Sequence, residues 1–272
     1  SGGEPVARER VEIYEWVDVR HPDRVKADYM LAETLLFQGE LAAAAPIYER
    51  VLATQRTLFK RNAQVADTLS SLAQVRLALG DTATAQKLVE EAISIHRDAN
   101  STAHEKIGFL QTMLGTVLLQ QAKFAEAEAV LRNTLDLFAA SLPPDHQYVA
   151  SAEHFLGESL AGSGQLVDAE AHLTAAMNRW KRTDAPEWRA ARSASTLGEV
   201  LHRQGKHQEA ERRLVDSYRI LATAEGVDAK TRESARSRVH RFYAGVRQVE
   251  KYEALMRELR PARTPSPPDR SL

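Results

Sequence analysis

Small and apolar residues recur along this chain at a fixed spacing. In each copy of the pattern a Leu stands beside a small residue, a turn follows seven positions later, and an Ala follows five positions after the turn. The turn residues, called knuckles below, are Gly39, Gly80, Ala122, Gly164 and Gly205. Successive knuckles are 41 or 42 residues apart. A fixed period with small residues at fixed offsets is typical of a stacked repeat protein.

Close helix crossing explains the pattern. Small residues let two antiparallel helices approach to about 8–10 Å between axes, and Gly ends the first helix in the left-handed conformation at little steric cost. Ala122 at the third knuckle predicts a turn that is either more helical or slightly strained. The predicted helix pairs are 24–38 with 41–59, 62–79 with 82–98, 102–121 with 124–141, 146–162 with 166–181, and 186–204 with 207–224.

The five copies, over residues 24–224, resemble tetratricopeptide repeats. The usual period of that repeat is 34 residues, and the longer period here is similar to the kinesin-light-chain type, which also occurs in bacterial multi-domain signalling proteins. The loop 142–150 (Leu-Pro-Pro-Asp-His-Gln-Tyr-Val-Ala) is similar to an inter-repeat loop of that type. The Asn pair that often precedes the Leu is absent, as at Ser70-Ser71. The resemblance implies an all-α fold, an α-solenoid built as a right-handed superhelix of antiparallel helix pairs.

Both ends of the chain depart from the regular repeat. Residues 1–23 are predicted to hold either the second helix of a preceding repeat or an N-terminal capping helix. Residues 225–260 are predicted to form a degraded sixth unit that caps the array, with Arg247 in the knuckle position. A terminal repeat needs a polar outer side because nothing stacks on it. Residues 261–272 are rich in Pro and Ser and are expected to be disordered.

Composition narrows the classes of function. The chain has no Cys, which excludes disulfides, thiolate metal sites and a Cys nucleophile. The net charge of −1 hides an asymmetry. Residues 1–178 carry 15 basic and 24 acidic side chains (−9), and residues 179–272 carry 21 and 13 (+8). No apolar run approaches the ~18 residues of a membrane span, so we expect no membrane insertion and a cytoplasmic location.

Motifs for catalysis are absent from the sequence. It contains no Gly-rich phosphate loop, no His-Glu-x-x-His pair and no Gly-x-Ser-x-Gly turn. His154 and Glu158 share a helical face, but such a pair without further ligands is more often a surface hydrogen bond than a metal site. His202 and His207 are five residues apart, so they do not share a helical face. We therefore predict that the protein is not an enzyme and has no catalytic residue, no cofactor and no metal site.

The resemblance implies that the first helix of each pair lines an inner groove. Within each repeat the predicted groove positions lie two residues before and after the Leu and one turn beyond. They are Tyr29, Glu33, Phe37, Ser70, Gln74, Phe109, Thr112, Thr116, Gln120, His154, Glu158, Ser195, Glu199 and Arg203. The cations by which some members of the family hold acidic tails are missing from these positions. Glu33, Glu158 and Glu199 are expected to repel carboxylates, which favours a neutral or basic segment.

These observations predict a non-catalytic protein–protein interaction module that binds a peptide segment or partner helix in its groove. By analogy, such an array is one part of a larger signalling or assembly protein, in keeping with a bacterial composition. One alternative is a peptide-responsive regulatory domain for an effector outside this chain. Another is binding of acidic or nucleic-acid partners through the basic C-terminal third, although no nucleic-acid motif supports it. Self-association stays open.

Overall fold

The chain folds into consecutive antiparallel helix pairs. The computed structural model describes residues 21–98 and 104–259, and these residues form twelve helices and no strand. The chain divides into two compact units, Ser1–Gln165 and Leu166–Leu272. Unit 1 contains α1 (Pro22–Gln38), α2 (Leu41–Phe59), α3 (Ala63–Ala78), α4 (Thr82–Asp98), α5 (His104–Gln120), α6 (Phe124–Ala139) and α7 (Gln147–Gly162). Unit 2 contains α8 (Leu166–Trp180), α9 (Trp188–Arg203), α10 (His207–Thr223), α11 (Ala229–Gly245) and α12 (Val249–Glu258).

The helix pairs confirm the all-α prediction. Each described helix end of the five repeats lies within two residues of its predicted position, and α11 and α12 lie within the segment that was predicted to form the sixth unit. Residues 1–20 of the segment predicted to hold the N-terminal helix, and the predicted disordered tail at 261–272, lie outside the described residues. Within unit 1, α5 packs more extensively on α7 than α1 packs on α3, and the contact between α3 and α5 is smaller still. The candidate site described below lies between α3 and α5.

Every knuckle has the left-handed backbone conformation. The four knuckle glycines have φ between 81° and 85°, and Ala122 has φ 57°, so the strained alternative for the third turn is the one observed. Arg247, the sixth knuckle, also has φ 57°. In each turn the residue after the knuckle donates its N–H to a carbonyl five residues earlier, as from Lys123 to Leu118 at 2.9 Å. This bond satisfies a carbonyl that the helix end would otherwise leave unpaired.

Small residues bring the paired helices into close contact, as the pattern predicts. The alanines five residues past the knuckles are fully buried; they are Ala44, Ala85, Ala127, Ala169 and Ala210. A Cβ added at Gly115 of α5 would lie 2.7 Å from Cγ of Leu131 of α6. Real Cβ atoms do not approach so closely, so this crossing requires glycine. Ridges of Leu thus pack into gaps left by Gly and Ala.

Histidines cap two first helices of unit 1. The Nδ1 atom of His21 accepts a hydrogen bond from the Asp23 N–H at 3.3 Å, and Nδ1 of His146 accepts one from the Tyr148 N–H at 3.2 Å. Both side chains pair a backbone donor that has no partner within its helix. The His146 cap also places Tyr148 in the first turn of α7, where its ring faces a cleft.

Candidate binding cleft

A cleft of ≈ 380 Å³ in unit 1, called the unit-1 cleft below, is the candidate functional site. It lies between α3 and α5, and α1 and the start of α7 extend its walls. Its lining residues are Tyr29, Ala66, Asp67, Ser70, Ser71, His96, Glu105, Lys106, Phe109, Leu110 and Tyr148. Most of them come from the N-terminal halves of first helices, which the repeat places side by side. One surface thus combines aromatic, hydroxyl and charged groups.

Aromatic rings form one wall of the unit-1 cleft. The Phe109 and Tyr148 rings lie 5.6 Å apart between centroids, and Tyr148 stacks on Phe138 at 6.2 Å. Tyr148 also meets the ring of His146 edge-on at 4.9 Å. These contacts hold Tyr148 from two sides while Phe109 stays half-buried. A rigid aromatic wall of this kind offers apolar contact area at low entropic cost.

Hydroxyl groups and a glutamate order the opposite wall. The Tyr48 hydroxyl donates to Oε1 of Glu33 at 2.5 Å, and Oγ of Ser71 donates to the same oxygen at 2.7 Å. The Tyr29 hydroxyl lies 3.3 Å from Ser71 Oγ. Burial raises the pKa of Tyr29 above its usual range, and the Glu33 charge raises it further. Tyr29 therefore remains protonated and able to donate a hydrogen bond.

A salt bridge and a neutral histidine complete the polar side. Lys106 Nζ lies 3.0 Å from Oδ1 of Asp67, and this bridge links α5 to α3 across the cleft. His96 of α4 lines the cleft and is only 5% exposed. Burial and then the Lys106 charge lower its pKa below the usual value, although Asp67 opposes them. His96 is therefore uncharged near pH 7, and Glu105 leaves the lining with one more carboxylate than cations.

Three of the predicted groove residues line the cleft. Tyr29, Ser70 and Phe109 line the unit-1 cleft. Outside it, Gln74 and Gln120 are exposed and Phe37 is 94% exposed. Thr116 bonds the Thr112 carbonyl at 3.1 Å, His154 lies 3.7 Å from the partly exposed Glu158, and Arg203 is exposed. The groove set as a whole therefore remains a prediction.

Three groove assignments are corrected by burial. The side chains of Thr112, His154 and Ser195 are 8%, 1% and 0% exposed. Thr112 donates its hydroxyl hydrogen to the Gly108 carbonyl at 2.9 Å, inside its own helix. All three stand two residues before the Leu of their repeats, whereas Tyr29 and Ser70 at the same offset are only partly buried and line the cleft. These three residues cannot offer their side chains to a partner at the surface.

Two predicted carboxylates are also less available than the sequence suggested. Glu33 is engaged by Tyr48 and Ser71, as described above. Glu199 of α9 accepts hydrogen bonds from Arg238 and Arg241 of α11, both at 2.8 Å. Burial alone would raise the pKa of Glu199, but the two guanidinium groups outweigh it and hold the pKa below its usual value. The structure therefore gives little support to the expectation that Glu199 repels acidic partners, because two guanidinium groups bind its carboxylate.

Eight lining residues were missed by the sequence pattern, and Asp67, His96, Lys106 and Tyr148 are among them. Asp67 and Phe109 both lie 13 residues before their knuckles, and Lys106 and Tyr148 both lie 16 before theirs. From the position two residues before the Leu, one helical turn further back gives Asp67, and two turns further back give Lys106 and Tyr148. No such signal exists for His96, since it lies on a second helix.

The described residues offer no arrangement for metal chemistry. Within residues 21–98 and 104–259, no three His, Asp or Glu side chains are grouped so that they could hold a metal ion. The turn at Gly205 does bring the Nδ1 atoms of His202 and His207 to within 3.2 Å of each other, which their spacing along the chain did not suggest.

Across the same described ranges, no helix is long and apolar enough to cross a membrane.

Comparison with known proteins identifies the family. The sequence profile of the tetratricopeptide repeat matches residues 23–98, 64–140 and 148–223, well over half of the chain. The chain belongs to the tetratricopeptide repeat family. No curated protein sequence matches it significantly.

Solved structures of this repeat protein's fold include kinesin-light-chain-like proteins, as the long period predicted. BtubC (BKLC) from P. vanneervenii is 21% identical, covers 83% of this chain and 92% of its own, and has a TM-score of 0.66. A putative kinesin light chain from Podosopora anserina is 21% identical, covers 66% of this chain and 87% of its own, with a TM-score of 0.57. A Rap protein complexed with competence and sporulation factor is 13% identical, covers 93% and 83%, and has a TM-score of 0.63. At these identities the likeness shows the fold alone.

Proposed function

We propose that the protein is a non-catalytic interaction module whose unit-1 cleft holds a neutral or basic segment of a partner protein. The proposal rests on one observation: the same cleft has an aromatic wall, with Phe109 and Tyr148, and a polar wall, with Tyr29 and Asp67. An extended peptide needs such a surface, because its side chains bury apolar area while its backbone amides need hydrogen-bond partners. The family is generally one of protein-interaction folds, which supports the same conclusion.

Charge in the cleft favours a basic side chain over an acidic one. Asp67 and Glu105 face one cation, Lys106, which Asp67 already binds. A Lys or Arg of the partner gains from the excess carboxylate and from the faces of Phe109 and Tyr148, because a cation is attracted to an aromatic ring. An acidic tail meets the same carboxylate unfavourably.

The basic C-terminal third is a weaker candidate for the partner surface. Several of its cations are paired with carboxylates of unit 2, including Arg219 with Glu258 at 2.9 Å and Lys251 with Glu211 at 2.9 Å. Such pairs reduce the positive potential that an acidic or nucleic-acid partner requires. We therefore place the partner in the unit-1 cleft. We place the chain, on family analogy alone, within a larger signalling or assembly protein, where a segment bound in the cleft would also suit a regulatory role.

Peptide arrays test the proposal. Extended peptides of matched length that are acidic, neutral or basic should be captured in the order basic, neutral, acidic. Glu105→Lys should weaken capture of basic peptides about threefold or more, because it reverses a rim charge. Glu126→Lys makes the same change at an exposed position of the second helix α6, outside the cleft, and should alter capture less than about twofold. Tyr148→Ala should reduce capture of all classes about tenfold or more.

The opposite pattern would overturn the proposal. If capture survives Tyr148→Ala and Glu105→Lys in a protein with an unchanged helical spectrum, the unit-1 cleft is not the binding site. If capture disappears instead when Arg236 is changed to Gln, the basic third becomes the working surface. Tyr29→Phe is a mild check, since it removes only the hydroxyl beside Ser71.

A further inference from the structure

Unit 2 contains a second cleft, of ≈ 390 Å³, which shares no lining residue with the unit-1 cleft. It is called the unit-2 cleft below, and it lies between the second helices α8 and α10, with α9 as its floor. Ala190 and Ala194 are on the floor, and Met177 and Ile220 give it apolar walls. The shape and lining suit a compact apolar group.

Buried hydrogen-bond donors without acceptors line the unit-2 cleft. Trp180 is 3% exposed, and its indole Nε1–H has no hydrogen-bond partner. The Nε–H of Arg213 is buried and unpaired as well. The Nη1 group of Arg213 lies 3.6 Å from the Met177 sulfur, a weak acceptor, and Nη2 lies 3.6 Å from Glu209 Oε1, beyond hydrogen-bond distance. Buried donors are nearly always paired in folded proteins, so these donors point to a missing acceptor.

Unit 1 has an equivalent cleft between its second helices α4 and α6, distinct from the unit-1 cleft, and two of its lining positions hold different residues. Arg213 lies eight residues after its knuckle, and Val130 holds that place in the third repeat. Ala194 lies eleven residues before its knuckle, where the third repeat has Gln111. Val130 and Gln111 both line the cleft between α4 and α6, which has a volume of ≈ 400 Å³. Where the third repeat has an apolar wall residue, the fifth repeat therefore has a guanidinium group. Where the third repeat has a polar floor residue, the fifth has an apolar one.

Charges around the unit-2 cleft favour an anion. Lys181, Arg212 and Arg213 line it against Glu187 and Asp216, an excess of one cation. Outside the lining, Arg219 lies 3.8 Å from Asp216 and offsets its charge, and Glu209 lies 3.6 Å from Arg213 and 4.0 Å from Arg212 and offsets part of theirs. Positive potential and unpaired donors thus occur on the same small surface, beside apolar walls.

We propose that the unit-2 cleft binds a small carboxylate carried on an apolar body. The apolar body packs on Ala190, Ala194 and Ile220, where its surface is removed from contact with water. The carboxylate accepts hydrogen bonds from the Trp180 indole and from the Arg213 guanidinium, which pairs both orphan donors. A guanidinium fork matches the two oxygens of a carboxylate, so an ionised ligand is favoured over a neutral isostere.

Titration of the whole chain with short fatty acids tests this site. Hexanoate should bind, as followed by calorimetry and by tryptophan fluorescence, and butyrate should bind more weakly because it buries fewer methylene groups. Hexan-1-ol, which has the same apolar body without the charge, should bind at least about tenfold more weakly. Arg213→Val, the residue of the third repeat, should weaken hexanoate about tenfold or more. Trp180→Phe keeps a ring but removes the donor, and should weaken hexanoate about threefold to tenfold.

Matched controls separate a built site from general charge attraction. Arg212→Gln removes a cation whose side chain is 66% exposed at the rim, and should change hexanoate affinity less than about twofold. Ala194→Gln restores the third-repeat residue and should fill the floor and block binding. The proposal is overturned if hexanoate does not bind at millimolar concentration, if hexan-1-ol binds equally well, or if Arg212→Gln weakens binding as much as Arg213→Val. Should Arg213→Val fail to fold, unchanged binding in Trp180→Phe and Ala194→Gln overturns it equally.

Discussion

Replacing Ala122 by Gly should stabilise the protein, although the substitution removes a methyl group and creates no new contact. Ala122 is exposed and has φ 57° at a knuckle where the four glycines have φ between 81° and 85°. An L-residue in this conformation costs about 1–2 kcal/mol relative to its ordinary helical geometry. Glycine avoids that strain but loses about 0.4–1 kcal/mol through the greater freedom of the unfolded chain. The balance is a gain of about 0.5–1 kcal/mol.

The reverse change should have the opposite sign. A Cβ added at Gly80 would meet no atom within 4 Å, so the only cost of Gly80→Ala is the backbone conformation at φ 85°. We expect it to destabilise the protein by about 1 kcal/mol. Ala53→Gly is the matched control for Ala122→Gly, since Ala53 is exposed in the middle of α2. There the same chemical change should destabilise by about 1 kcal/mol, because glycine is a poor helix former.

Urea unfolding followed by far-ultraviolet circular dichroism measures the three variants against the parent chain. For a chain of this size, a change of about 1 kcal/mol in the free energy of unfolding shifts the melting temperature by about 2–4 °C. Amide exchange in α5 and α6 adds a local readout, because repeat arrays need not unfold in one step. If Ala122→Gly lowers stability as Ala53→Gly does, the third knuckle is not strained and the reasoning fails.

Two further predictions concern packing and charge. Ala127→Leu overpacks the fully buried crossing of α5 and α6 and should cost about 1–3 kcal/mol in urea unfolding; an unchanged midpoint would place Ala127 outside the crossing. Glu199→Gln should cost about 1–2 kcal/mol near pH 7, where it removes the carboxylate that Arg238 and Arg241 bind. Because the folded pKa of Glu199 is depressed, its contribution is complete above its unfolded pKa and is lost as the pH falls through the folded pKa. The variant and the parent should therefore converge in strongly acidic urea titrations, and a constant difference at all pH values would exclude the ionised pair as the cause.

Helices, turns and their register were determined by the sequence alone. A helix forms through bonds between residues four apart, and a knuckle forms where a glycine ends that run. Both are local, so the spacing of Leu, Gly and Ala was enough to place every described helix end of the five repeats within two residues. The same spacing also located Ala122 and Arg247 as residues in glycine positions.

The composition of the two clefts was decided only by the tertiary structure. The sequence offered fourteen groove positions, yet Thr112, His154 and Ser195 proved to be buried, and His96 joined the unit-1 cleft from a second helix. Which side chains meet across repeats depends on how far each helix pair is rotated and shifted against the next, and a period along the chain does not specify this. That geometry brings Glu199 of α9 to Arg238 and Arg241 of α11, although these residues are distant in sequence. It also leaves the indole donor of Trp180 without an acceptor.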